Sequence, residues 1–193
     1  MATQDSRIKI KRSTISGTVP TVAPSDDHTQ PSPAWTATDI YKGELFINQA
    51  DNVIWSRGDN GVFCIGGSAE LTIASADVLT LNTTPLTIVS AVPGYAIEVV
   101  SASVKIDNPG APYATNVALE LICSGATNRQ AVSITALNAS VTSVRRLAID
   151  STSTATDTQL IANADLLVQV RTGDPTAGDA DITVFVNYRL IPV

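Results

Sequence analysis

The chain has 193 residues, of which 44% are hydrophobic, 5% aromatic and 16% charged, with a formal net charge of −6. That length fits one ordinary domain or a domain with a smaller appendage, and so apolar a composition excludes a disordered chain. The negative balance argues against nucleic acid as the main partner, no run of 18 apolar residues marks a membrane-spanning helix, and the polar start without an apolar signal core predicts synthesis and assembly in a cytoplasm.

The first element expected is a strand and turn over Arg7 to Thr18. Ile8 and Ile10 alternate there with Arg7, Lys9 and Lys11, and Arg12 follows. The strand therefore has a basic outer face, which is either simply solvated or docks on an acidic partner. Val19 to Pro33 carries Pro20, Pro24, Pro31 and Pro33, so residues 19–34 are expected to cross as an extended, polyproline-like segment. The single histidine, His28, lies in that segment beside Asp26 and Asp27. A Ser/His/Asp triad there fails, because catalysis needs a rigidly oriented base.

Order returns from Trp35 to Ile65. Gly43–Asn48 and Asn52–Arg57 are predicted strands joined by Gln49-Ala50-Asp51, and Asp59-Asn60-Gly61 turns the chain into Val62–Ile65. Asn-Gly is a favoured pair for a tight hairpin turn. Gly66-Gly67-Ser68 has the composition of a hinge, which divides the chain into an N-terminal unit (1–67) and a distal domain (68–193). A unit of ~65 residues is marginal alone, since it hides only about 60% of its unfolded surface. It nevertheless holds Trp35, Tyr41, Phe46, Trp55 and Phe63, five of the nine aromatic residues. Trp35, Phe46 and Trp55 are therefore expected to contact sister subunits or a docking surface.

The distal domain is predicted as a series of short strands: Val78–Val89, Tyr95–Ile106, Val117–Cys123, Ala131–Leu137, Val141–Ile149, Leu166–Arg171 and Ile182–Ile191, with Glu70–Ser75 as a possible eighth. Helical periodicity over Asp157–Leu167 is the weaker reading of that stretch. In the last run Ile182, Val184, Val186, Tyr188 and Leu190 fall two apart and line one face. The turn-rich loop Thr172–Ala180 suggests that the last two strands form a hairpin. Seven or eight strands separated by turn signals define an all-β domain, a jelly-roll-like antiparallel sandwich.

Features that would carry chemistry are sparse. Cys64 and Cys123 provide no disulfide framework, and no His/Cys pair has zinc spacing. No cofactor is expected. Glu98 and Glu120 would suit glycoside hydrolysis if they faced each other on neighbouring strands, although paired glutamates on a solvent face are the commoner case. Asp174, Asp179 and Asp181 offer hard oxygen ligands for Ca²⁺ without EF-hand spacing, so a polar loop at a sandwich end is preferred. Arg57-Gly58-Asp59, a tripeptide that some animal-cell receptors bind, is read as a strand end and turn. Arg145 and Arg146 should point to opposite faces. The inward one needs a carboxylate partner or an interface, which makes this pair a candidate intersubunit site.

The segment Arg7-Ile8-Lys9-Ile10-Lys11-Arg12-Ser13-Thr14, followed by Gly43-Glu44-Leu45-Phe46-Ile47-Asn48 and a hairpin ending in Gly-Asp-Asn-Gly, resembles the N-terminal attachment module of tailed-bacteriophage fibre and tail proteins. The distal stretches Leu79–Val89, Pro93-Gly94 and Gly173–Asp179 before Val184–Arg189 look like a β-domain common in phage virion proteins. The resemblance implies a non-catalytic structural virion protein that forms a homo-oligomer, usually a trimer. Its N-terminal part would grip other virion proteins, with Arg7, Lys9, Lys11, Arg12, Trp35, Phe46 and Trp55 as docking residues. The chain lacks the long shaft of a tail fibre, which favours a short head fibre or capsid decoration. The alternatives are a receptor-binding module for host surface carbohydrate and, less favoured, a polysaccharide-cleaving enzyme.

Overall fold

Side-chain alternation creates the strands of this protein, and the turns between them decide which sheet each strand joins. The computed structural model describes residues 10–24, 35–107, 110–150 and 159–193; Arg7, Lys9, the Asp26-Asp27-His28 run and Asp157 lie outside them. Apart from one helical turn the chain is all-β, and it divides into two compact units, Met1–Gly67 and Ser68–Val193.

In the first unit, β1 (Lys11–Ser13) is followed by two short strands, β2 (Thr21–Val22) and β3 (Asp39–Ile40), which pair with each other in parallel. The amide N–H groups of Thr21 and Ala23 donate to the carbonyls of Thr38 and Ile40, at 3.0 and 3.2 Å. Pro20 and Pro24 flank this pair, where a missing N–H costs no ladder bond. The described part of the Pro-rich segment thus contains a small strand, contrary to expectation. β4 (Leu45–Asn48), β5 (Val53–Gly58) and the start of β6 (Gly61–Ile73) form an antiparallel meander, and β1 joins its edge in parallel with β4. Asn48 shapes the β4–β5 turn: its Oδ1 accepts the N–H groups of Ala50 and Asp51, at 3.0 and 3.3 Å. At the next turn Gly58 pairs with Gly61, so the two-residue loop is Asp59-Asn60, one position earlier than the expected Asn-Gly pair. Gly66 and Gly67, expected as a hinge, are strand residues of β6 and pair with Ile54 and Val53 of β5.

The second unit contains the rest of β6, the helical turn α1 (Ser75–Val78), and β7 (Leu86–Val89), β8 (Tyr95–Asp107), β9 (Leu119–Cys123), β10 (Ala131–Ser133), β11 (Ser143–Ile149), β12 (Leu166–Val170) and β13 (Asp181–Pro192). One sheet has the order β6-β13-β8-β11 and the other β7-β12-β9-β10. Numbered within this unit, the strands run first-eighth-third-sixth and second-seventh-fourth-fifth, which is the wiring of a jelly roll. β12 and β13 therefore sit in opposite sheets and do not form the expected hairpin. The loop between them is too long for a tight turn and long enough to cross a sandwich core ~10 Å thick. Leu166 and Leu167, at the end of the possible helical stretch, belong to β12.

Two predicted strands are shorter than expected. Val78 ends α1, and Leu81 plugs the core from a turn before β7 begins at Leu86; Ala136 and Leu137 do the same after β10. Strand-like apolar content in these stretches serves loop burial. On β13 the predicted face holds: Ile182, Val184, Val186, Tyr188 and Leu190 are all buried. On β8 the buried positions change parity, from Ile97 and Val99 to Ala102, Val104 and Ile106. The cause is a bulge: Tyr188 pairs with Val99 and Asn187 with Ser101, so Val100 has no counterpart on β13. One extra residue restores the inward orientation of the rest of the strand.

Candidate functional site

The first unit presents an apolar sheet face to solvent. Strand registers place Phe46 beside Trp55 on one face and Ile47 beside Ile54 on the other. Phe46 and Trp55 are each 1% exposed and form the core of the unit with Ile40 and Val53. The opposite face carries Leu45, Ile54, Phe63 and Ile65, which are 37%, 39%, 48% and 53% exposed, together with half-buried Ile47. Ser56 is aligned with Leu45 on one side and Phe63 on the other, and these large neighbours account for its burial. Its hydroxyl donates to the Glu44 carbonyl at 3.1 Å. β1 adds exposed Arg12 beside Ile47, giving this face a cationic margin.

The expected docking residues are thus divided by strand parity. Phe46 and Trp55, expected to anchor a docking surface, pair on the covered face, so they point inward and are not available as surface anchors. Lys11 shares that face, aligned with Phe46. Its ammonium donates to the Asp39 carbonyl, lies 3.5 Å from Glu44 and sits 5.5 Å from the centre of the Tyr41 ring. It binds the unit together and does not form a free basic stripe. Trp35 is half-buried and meets Tyr41 edge-on, with ring centres 5.2 Å apart. Of the named residues that are described, Arg12 is the fully solvent-facing one. Leu45, Ile54 and Ile65 carry no aromatic signal, and strand alternation is what marks them as outward-facing.

The Arg57-Gly58-Asp59 tripeptide is closed: Arg57 is 9% exposed and its guanidinium donates to the Ile40 carbonyl at 3.0 Å. Below it, Asp39 accepts the Thr21 hydroxyl at 2.5 Å and the Thr36 N–H at 2.6 Å, and these bonds hold its carboxyl below the usual carboxylate range.

In the second unit each acidic loop residue braces a different piece of backbone. Asp174 Oδ1 accepts the N–H groups of Asn82 and Thr83, at 2.8 and 3.1 Å, and Oδ2 accepts the Thr83 hydroxyl. Asp179 Oδ1 accepts the N–H groups of Gly110 and Ala111, both at 2.9 Å, and Asp181 accepts that of Ser75 at 2.9 Å. Three carboxylates bound to three separate loops do not converge, and among the described residues no cluster suited to a metal ion occurs. Tyr113 lies behind this loop and donates to the Ala180 carbonyl at 2.6 Å. Burial, reinforced by Asp181 and Asp179, pushes its phenol up to about 12.

Glu98 and Glu120 are not on neighbouring strands. Glu98 lies on β8 and pairs with Arg189 of β13; Glu120 lies on β9, is buried, and accepts from Gln169 Nε2 of β12 at 2.7 Å. The arrangement that hydrolysis would require is not formed by this pair. Cys64 and Cys123 are not joined in a disulfide; burial raises the Cys123 thiol above its ordinary range. Arg145 is satisfied without a carboxylate: its guanidinium donates to the carbonyls of Thr135 and, at 3.0 Å, Asn138. Arg146 is exposed on the outer face of β11.

No protein-family model and no curated protein matches this chain. Among solved structures, a chain of the "Cyanophage Pam1 capsid asymmetric unit" is similar to it with a TM-score of 0.43 and 17% identity, over 66% of this chain and 86% of that one.

Proposed function

We propose that this chain is a structural protein of a bacteriophage virion, a short head fibre or capsid decoration that acts without catalysis. It docks through its N-terminal unit and projects the jelly roll. The observation that carries this reading is the outward row Leu45, Ile47, Ile54, Phe63 and Ile65, an apolar face that a unit of this size gains by covering. The resemblance of the N-terminal strands to phage attachment modules and the jelly-roll wiring, which viral capsid domains share with lectins, agree with it. A fold alone does not assign a function, so the residues of that face are what the test addresses. In this reading Arg12 steers the encounter while the apolar row supplies the affinity, and the assembled form is a homotrimer.

The test measures copies of the chain per purified particle by quantitative mass spectrometry. Phe63→Ser and Ile54→Ser should each lower occupancy several-fold, whereas Glu98→Gln in the jelly roll should leave it unchanged. A wild-type chain that fails to co-purify with particles would overturn the assignment. Normal occupancy of both apolar-face variants would move the docking surface elsewhere, and a monomeric mass by light scattering would remove the trimer.

A further inference from the structure

The outer face of the β6-β13-β8-β11 sheet carries a groove of about 410 Å³, and two irregularities of the fold create it. β11 pairs with β8 from Ser143 to Leu147, then leaves it and pairs with β10 of the other sheet through Ala148 and Ile149. On the adjoining stretch of β8, the bulge at Val100 interrupts the ladder to β13. Where β11 has departed, the backbone of β8 is completed by a side chain: Gln130 Oε1 accepts the Val99 N–H and Nε2 donates to the Ile97 carbonyl, both at 2.8 Å. The gap between β8 and β11 is therefore a satisfied feature of the sheet, and it needs no additional strand to fill it.

The lining residues form an ordered row. Arg146 is aligned with Ser103, and Ser103 with Phe185, across β11, β8 and β13. In the next row Asn187 Nδ2 donates to Ser101 Oγ at 3.0 Å, which leaves the carboxamide oxygen and the serine proton for a ligand. Val100 and Ile149 add apolar lining. None of the ion pairs among the described residues includes Arg146, whereas its neighbour Arg145 is fully engaged with loop carbonyls. Within the groove lining Arg146 is the charged residue, and it has no ion-pair partner among the described residues. Strand spacing puts Arg146 and Phe185 roughly 10 Å apart at the backbone, a span bridged by an arginine side chain and one pyranose ring.

We propose that this groove binds an acidic sugar unit of a glycan. The carboxylate lies on the guanidinium of Arg146, which suits planar, bidentate recognition. The C–H-rich face of the ring packs on Phe185, and the sugar hydroxyls meet Ser101, Ser103 and Asn187. The volume lies at the small end of ligand sites, which run from ~300 to ~1,000 Å³. A polyphosphate or nucleic acid fits poorly, because one arginine is the whole cationic content of the lining. A peptide strand fits poorly too, since β8 at Ala102 and Ser103 is already paired with β11 on one side and β13 on the other. This inference is independent of how the chain docks to a particle.

The test titrates the full chain with tri-galacturonate and with neutral maltotriose, by calorimetry and saturation-transfer NMR, at two salt concentrations. Wild type should bind the uronate and should bind maltotriose at least about tenfold more weakly. Arg146→Gln should weaken uronate binding about tenfold or more, the usual worth of a charge-assisted hydrogen bond, and should abolish the salt dependence. Phe185→Ala should weaken binding of both sugars. Arg189→Gln, which removes the same charge from the same face outside the groove, should change nothing. Circular dichroism checks each fold, and exposed Arg146 keeps the test decisive if Phe185→Ala unfolds. Equal affinity for the two sugars, indifference to Arg146→Gln, or no binding by wild type overturns the proposal.

Discussion

Phe46 and Phe63 lie on opposite faces of one small sheet, and truncating each should separate folding from docking. Phe46 is 1% exposed and aligned with Trp55. A phenylalanine buries ~150–250 Å², and at ~25 cal/mol per Å² that is ~4–6 kcal/mol before the retained alanine is subtracted. Phe46→Ala should therefore cost about 3–5 kcal/mol. A unit of this size has about 3–5 kcal/mol in total, so the variant sits at the edge of unfolding in water. Phe63 is 48% exposed; with about half the area in play, Phe63→Ser should cost about 1–2 kcal/mol. Both tryptophans, Trp35 and Trp55, belong to this unit, so tryptophan fluorescence during urea unfolding reports on it alone. With a slope near 1 kcal/mol per M, Phe46→Ala should lower the midpoint by about 3 M or leave no folded baseline, and Phe63→Ser by about 1–2 M. A Phe63→Ser shift equal to or larger than that of Phe46→Ala would refute the assignment of the two faces.

Two further outcomes follow from the distal loops. Gly178 has φ of +119°, and a Cβ there would be driven into the Tyr113 ring; Gly178→Ala should destabilise the jelly roll by about 2–4 kcal/mol, read as a lower thermal midpoint, with a smaller loss when Tyr113 is also truncated. The bonds from Thr83 and Asn82 hold the Asp174 carboxyl below its unfolded value, so its contribution is complete above about pH 4 and is lost as pH falls through the folded value. Asp174→Asn should lower the thermal midpoint at pH 7 and flatten its decline below about pH 4; an equally steep decline in the variant would contradict the role of that carboxylate.

Alternation, turn residues and composition made the all-β class and the buried stripe of β13 legible, because both depend on neighbours one or two positions apart. The same local rules offered Glu70–Ser75 as a strand, of which Glu70–Ile73 belongs to β6, and left Thr172–Ala180 a loop. They could not assign strands to sheets. β12 and β13 are adjacent in the sequence and belong to opposite layers, since a loop of that length can cross the core as readily as turn back. Nor could they detect the bulge at Val100, which depends on the register against β13 and reverses which side chains of β8 face out. The docking residues show the same division. Sequence marked Phe46 and Trp55 as large and apolar, but pairing across β4 and β5 buries them and turns Leu45, Ile54 and Phe63 to solvent. Local chemistry determined what each strand could bury; the strand it paired with determined which side was left for a partner.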